Sequence, residues 1–115
     1  MKKIYLTCCF GLDHDLVLLE RFCQHYINLG INPNNFLLVL NTSNNRSSNI
    51  INALNLLSKY KIEPLDIWCT RYESEEKWLR VHNLLSKYVS PEDWVVHPDA
   101  DEFHEIPFEI GRAHV

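Results

Sequence analysis

The run Asp93-Trp94-Val95-Val96-His97-Pro98-Asp99-Ala100-Asp101-Glu102-Phe103 feeds a short apolar strand, Trp94 to His97, straight into a knot of carboxylates. In front of it, Ser74 to Tyr88 has helical spacing, with Trp78, Val81, Leu85 and Tyr88 on one face and Pro91 beyond its end. Further back, Asp66 to Thr70 reads as a strand and Asn49 to Tyr60 as a helix whose apolar face is Ile50, Ile51, Leu54 and Leu57. Phe36 to Leu40 is a fully apolar strand followed by a polar loop of turn formers, Asn41 to Ser48. Asp15 to Leu29 repeats Leu18, Phe22, Tyr26 and Leu29 at helical spacing, with Gly30 placed to stop it, and Lys3 to Phe10 is the first strand. Strands alternating with helices of a dozen or more residues predict an α/β fold in three layers, α/β/α, around a parallel sheet.

Composition bounds the partners. The 115 residues carry 15 acidic and 11 basic side chains, a formal charge of −4, with 46% hydrophobic and 11% aromatic residues. That is one small packed domain rather than a disordered or multidomain chain. No block of positive charge offers a footprint for nucleic acid or an anionic membrane, so a small ligand is expected. The apolar run Ile4 to Phe10 after Lys2 and Lys3 is too short for a signal peptide, and no stretch reaches the roughly 20 apolar residues of a transmembrane segment. A cytoplasmic protein is expected. Cys8, Cys9, Cys23 and Cys69 contain no C-x-x-C pair and read as buried thiols; a second reading has Cys8 or Cys9, near a strand end, lining a ligand site.

One hexapeptide, Asn-Leu-Leu-Ser-Lys-Tyr, occurs twice, at Asn55 to Tyr60 and Asn83 to Tyr88. Two copies do not make a solenoid, so they read as two helix ends solving the same packing problem. The Gly-rich dinucleotide fingerprint, the P-loop and the nucleophile elbow Gly-x-Ser-x-Gly are all missing from the sequence, which removes the commonest nicotinamide, ATP and serine-hydrolase readings.

Chemistry concentrates where the fourth strand ends. In open α/β sheets ligands bind outside the carboxyl ends of the strands, where strand order reverses. For an order 3-2-1-4 that crevice lies between the first and fourth strands, and Thr7 to Gly11 would face the Asp99 cluster. Asp99 and Asp101, two apart, point to one side of an extended backbone and could share a cation. Carboxylate oxygens suit Mg²⁺ or Mn²⁺, and two of them leave positions open for water and substrate phosphates. The bland alternative is a solvated acidic turn. A zinc or transition-metal site using His97 and His104 has no ligand spacing to support it, and His25 reads as a packed core histidine. Lys77, Arg80 and Asn83 share one helical stripe, which is either a solvated face or a set of donors for a diphosphate or sugar.

These segments resemble the glycosyltransferase family 2-like proteins of the GT-A fold, over roughly residues 4 to 108. The likeness is carried by Leu19-Glu20-Arg21-Phe22, His25-Tyr26, Leu29-Gly30-Ile31, Phe36-Leu37-Leu38-Val39 and Asp93 to Phe103. The resemblance implies the Rossmann-like nucleotide-sugar-binding half of such a domain and a metal-dependent transferase. Its donor would be a nucleotide-diphosphate sugar and its acceptor an unknown glycan, lipid or protein. Carried over by position, Asp99 and Asp101 would bind Mn²⁺ or Mg²⁺ bridging the donor diphosphate, and Glu102 would orient the ligating carboxylates. Thr7 and Cys8, with Asn41 and Thr42, would surround the base and ribose. Many relatives carry an acidic residue after the second strand, where this chain has Asn41-Thr42-Ser43.

The resemblance also implies a second half, with further strands for the acceptor and, in inverting members, a carboxylate base. On that expectation residues 1 to 109 are the donor-binding part and inactive alone. The tail Ile110-Gly111-Arg112-Ala113-His114-Val115 reads as translated sequencing adapter, so Arg112 and His114 are given no role. Two rivals stand beside the transferase. One is a metal-dependent phosphohydrolase, which needs an aspartyl nucleophile early in the chain, near Asp13 or Asp15; the other is a non-catalytic interaction module.

Overall fold

The computed structural model describes residues 3–43 and 48–100. Strand β1 (Ile4–Gly11) runs into helix α1 (Leu12–Asn28), and a single 3-10 turn, Pro33–Asn35, precedes β2 (Phe36–Asn41). Then follow α2 (Ser48–Lys59), β3 (Asp66–Trp68), α3 (Ser74–Tyr88) and β4 (Trp94–Val96). All strand pairs are parallel and the order is β3-β2-β1-β4, the α/β architecture expected from the alternation of strands and helices.

The two-residue period of the central strands divides the core between two faces. Leu6, Cys8 and Phe10 stand in register with Phe36, Leu38 and Leu40 and pack under Leu19, Phe22, Cys23 and Tyr26 of α1 and Ala53 and Leu57 of α2. Tyr5, Cys9, Leu37 and Val39 point the other way, where Trp68 and, from α3, Val81, Leu84 and the half-buried Leu85 meet them. Each large apolar side chain buried this fully contributes about 1.5–3 kcal/mol, so the face shared by α1 and α2 dominates stability. Inside the sheet, Phe10 meets Phe22 edge-on at 4.8 Å, and Phe22 meets Tyr26 at 4.8 Å.

Helix ends follow their local chemistry. After α1, Gly30 takes φ 106°, while its N–H donates to the Ile27 carbonyl and that of Ile31 to the Tyr26 carbonyl. This left-handed cap favours glycine. After α2, Lys61 takes φ 59° in the same bonding pattern, its N–H on the Ser58 carbonyl and that of Ile62 on the Leu57 carbonyl.

Several boundaries and helix phases differ from the sequence reading. Helix α1 starts at Leu12, not Asp15, because β1 passes into it with no loop and Leu12 is drawn into the core. Its buried line is Leu12, Leu19, Phe22, Cys23 and Tyr26; Leu18 and Leu29 are half-buried. On α3 the buried residues are Val81 and Leu84, while Trp78 is 46% exposed. A helix alone on its face buries only the narrow stripe that touches the sheet. On α2, Ile51 is exposed for the same reason of phase, and Ala53 takes the inward position. Strands β3 and β4 stop at Trp68 and Val96. Among the described residues no helix is long and apolar enough to cross a membrane.

Candidate functional site

Because β4 pairs with β1 on the side away from β2, the order of strands reverses between β1 and β4. The carboxyl ends of the strands open there into a cleft of about 560 Å³, a size that takes a small polar ligand. Its lining comes from every layer. Cys9 and Gly11 end β1, and Asp13, His14 and Asp15 form the first turn of α1. Asn41 and Ser43 follow from β2, Arg71 and Tyr72 come after β3, Lys77 projects from α3, and Asp99 and Ala100 follow β4. Among the described residues, three carboxylates therefore share the cleft with a guanidinium, an ammonium and an imidazole.

The floor is bonded rather than loose. The Asp13 carboxylate accepts from the Thr42 hydroxyl at 2.8 Å, the Ser43 hydroxyl at 2.7 Å and the Ser43 N–H at 3.0 Å, tying the start of α1 to the loop after β2. The hydrogen bonds from Ser43, then Thr42, hold this carboxyl below its ordinary range. Asn41 donates from one amide nitrogen to the carbonyls of Trp68 and Thr70, each at 3.1 Å. Carbonyls only accept, so the amide orientation is fixed and Oδ1 is turned from them as an acceptor. Trp68 in turn donates from its indole N–H to the Thr70 hydroxyl at 2.6 Å.

The sequence-derived candidates separate into three groups. Asn41, Lys77 and Asp99 do line the cleft. Thr42 lies just beneath it, fully buried, with its hydroxyl on Asp13. Thr7, Cys8, Arg80 and Asn83 are elsewhere. Thr7 sits mid-strand, fully buried, donating to the Leu37 carbonyl at 3.0 Å, which makes it a sheet residue. Cys8 faces the α1 and α2 layer inside the core, and its neighbour Cys9 takes the cleft position, as alternation along a strand requires. Arg80 is forked between Asp66 at 2.7 Å and Glu76 at 3.0 Å, with its guanidinium 5.3 Å over the Trp68 ring, so it pins α3 to β3. Asn83 is exposed further along α3 and lines no part of the cleft. The stripe of Lys77, Arg80 and Asn83 is thus divided among three environments. Asp101, Glu102 and His104 lie outside the described residues.

Thiol chemistry here is quiet. Burial pushes the Cys9 thiol up to about 11, against the pull of Lys77, and burial lifts Cys8 well above its ordinary value. His97 stands edge-on to Trp78 at 5.1 Å, and partial desolvation, then Lys77, holds it below its ordinary value.

Sequence reasoning missed His14, Arg71 and Tyr72 as cleft residues and considered Asp13 and Asp15 only for the phosphohydrolase alternative. The available signal was position: all five fall within four residues of the carboxyl end of a strand, the edge where ligands bind. Reading the first helix from Asp15 passed over His14, and closing the third strand at Thr70 passed over Arg71 and Tyr72.

Among the described residues no group of three or more His, Cys, Asp or Glu side chains is close enough to hold a metal ion. Of the carboxylates lining the cleft, Asp13 is held by Thr42 and Ser43, while Asp15 and Asp99 bring hard oxygen donors of the kind that suits Mg²⁺, which takes one or two carboxylates plus substrate phosphates. No protein-family model, curated protein or solved structure matches the chain.

Proposed function

We propose that the cleft binds a nucleotide-diphosphate sugar and that the protein is a metal-dependent glycosyltransferase of the GT-A type, acting in the cytoplasm on an acceptor yet to be defined. One observation carries the reading: a polar cleft of ligand size lies at the reversal of strand order, with Asp99 and Lys77 on its β4 side. Asp99, together with Asp101, would hold Mn²⁺ or Mg²⁺, which when bound neutralises charge on the departing diphosphate. Lys77 adds a fixed positive charge on the same side and stabilises the same developing anion. Asn41 ties the loop after β3 to the end of β2, and Asp13 ties the loop after β2 to the start of α1, so the ligand meets a preformed surface. Four free thiols accord with a reducing compartment.

Isothermal titration of the chain with UDP in the presence and absence of Mn²⁺ tests the reading. Metal-dependent binding is expected, weakened about tenfold or more in Asp99→Ala and in Asp101→Ala. Binding indifferent to Mn²⁺, or unchanged in both variants, would sink it.

A specific observation also favours the phosphohydrolase alternative. Asp13 and Asp15 sit two and four residues past β1 and both line the cleft. Asp13 is already engaged by Thr42 and Ser43, which leaves Asp15 as that reading's nucleophile. Magnesium-dependent hydrolysis of p-nitrophenyl phosphate, abolished in Asp15→Asn, would favour it over transfer.

A further inference from the structure

The wall after β3 stands apart from the metal and phosphate side of the cleft, yet it is firmly held. Trp68 is 3% exposed, and four residues later Tyr72 lays its ring against it, with centroids 5.7 Å and planes 31° apart. Tyr72 itself is 44% exposed and lines the cleft. The stretch between them is fixed from three directions. The Asn41 amide holds the carbonyls of Trp68 and Thr70, the Trp68 indole holds the Thr70 hydroxyl, and the Arg80 guanidinium covers Trp68 while anchored to Asp66.

An exposed aromatic ring usually loses side-chain freedom when something stacks on it. Here the backing ring and the clamped backbone have already taken much of that freedom away, so a planar ligand group gains contact at little ordering cost. The position adds a second constraint. Tyr72 follows β3 and Asp99 follows β4, the two outer strands of the order β3-β2-β1-β4. Three strand spacings, roughly 14 Å, separate these two strands. A free phosphate cannot reach both ends; an extended molecule with a flat ring at one end and phosphates at the other can.

We propose that Tyr72, backed by Trp68, is the ring-stacking wall of the cleft and positions the nucleobase of the ligand, while the side bearing Asp99 and Lys77 takes its phosphates. The proposal rests on the nucleotide reading above and adds to it a specificity residue on β3's loop.

The test titrates the chain and two variants with UDP and with inorganic pyrophosphate, each with Mn²⁺. Tyr72→Leu keeps an apolar cover over Trp68 but removes the π face; Tyr72→Phe keeps the face and loses the hydroxyl. Stacking a base on an aromatic ring is worth about tenfold or more in affinity. UDP binding is therefore expected to fall about tenfold or more in Tyr72→Leu and to stay within about threefold in Tyr72→Phe, with pyrophosphate binding unchanged in both. Equal loss of UDP and pyrophosphate in Tyr72→Leu would reduce Tyr72 to a cover for Trp68 and overturn the proposal, as would undiminished UDP binding. The two readings fail separately. Binding of UDP that ignores Mn²⁺ but depends on the Tyr72 ring removes the transferase reading and keeps the wall, and metal-dependent binding indifferent to Tyr72 does the reverse. A chain that binds pyrophosphate and no nucleotide removes both.

Discussion

The same six residues, Asn-Leu-Leu-Ser-Lys-Tyr, end α2 at Asn55 to Tyr60 and α3 at Asn83 to Tyr88, and they meet different fates on opposite faces of the sheet. Both helices start their buried stripe in the same phase, since Ala53 and Val81, 81 − 53 = 28 residues apart, are both fully buried. The copies then diverge. In α2 the second leucine, Leu57, is fully buried and Leu56 half-buried; in α3 the first leucine, Leu84, is buried and Leu85 is half-buried. Tyr60 is clasped by Glu20 and Gln24 of α1, each at 2.8 Å, whereas Tyr88 stands 39% exposed. The difference lies in the neighbours. Helix α2 has α1 beside it and the sheet beneath, while among the described residues α3 is alone on its face, where its first turns border the cleft. Identical sequence thus supplies core on the crowded face and a rim on the open one.

The leucines give the largest test of this contrast. Leu57→Ala empties a fully enclosed site and is expected to cost about 2–5 kcal/mol, with Leu56→Ala well below it. In α3 the order reverses, with Leu84→Ala costlier than Leu85→Ala. Urea unfolding of the four variants measures this, and the same ranking in both helices would break the comparison.

The next effect in size separates structure from binding along α3. Arg80→Ala removes charge-assisted bonds to Asp66 and Glu76 at a half-buried position and is expected to destabilise by about 1–2 kcal/mol. Lys77→Ala, three residues earlier in the cleft, should leave the melting temperature unchanged and weaken UDP with Mn²⁺. If both variants act on stability alone, the open face is no binding rim.

Much of this was legible in advance, and the illegible remainder has a physical reason. Apolar runs such as Phe36 to Leu40 read as strands because a central parallel strand is buried on both faces, so no competing pattern exists. The span of α3, Ser74–Tyr88, was readable from its spacing, but its phase was not: Trp78 is large and apolar, yet it rests beside His97 and under Lys77 at the surface. Hydrophobicity tells which residues prefer burial, and only the neighbouring element decides which are granted it. The site followed the same rule. Asp99 and Asn41, picked out by their places at strand ends, do line the cleft, whereas Thr7 and Arg80 lie away from it, because a polar side chain can serve sheet or helix packing as readily as a ligand.

The ends of the two helices give a smaller, opposite-signed effect. The chain after Tyr60 turns through Lys61 at φ 59°, a conformation that strains a residue with a Cβ, while Val89 after α3 is extended at φ −103°. Lys61→Gly is expected to stabilise by about 0.5–1 kcal/mol, the relieved strain exceeding the added freedom of the unfolded chain. Val89→Gly should destabilise by a similar amount. Thermal unfolding of the pair decides whether the α2 copy ends under strain.

The smallest effect is a dependence on pH carried by the α2 copy. Lys59 reaches Glu20 at 2.9 Å, and the Tyr60 hydroxyl donates to the same carboxylate. The bond from Lys59, then that from Tyr60, lowers Glu20 from its ordinary 4.5. The same carboxylate raises Lys59 from 10.5 and Tyr60 from 10.0. For Glu20, a folded value below the unfolded one means stabilisation that is present above 4.5 and lost as pH falls through the folded value. For Lys59 and Tyr60, folded values above the unfolded ones mean stabilisation that is present below about 10 and lost as pH rises through the folded values. The contact between α1 and α2 should therefore loosen at both ends of the pH scale. All three groups are solvent-facing, so the slopes are shallow and weaken further in salt. Glu20→Gln is expected to flatten both limbs of the stability profile together, because one carboxylate serves both partners. Two limbs that respond separately to Glu20→Gln would mean that Lys59 and Tyr60 draw on other partners, and the clasp would then not be what distinguishes the two copies.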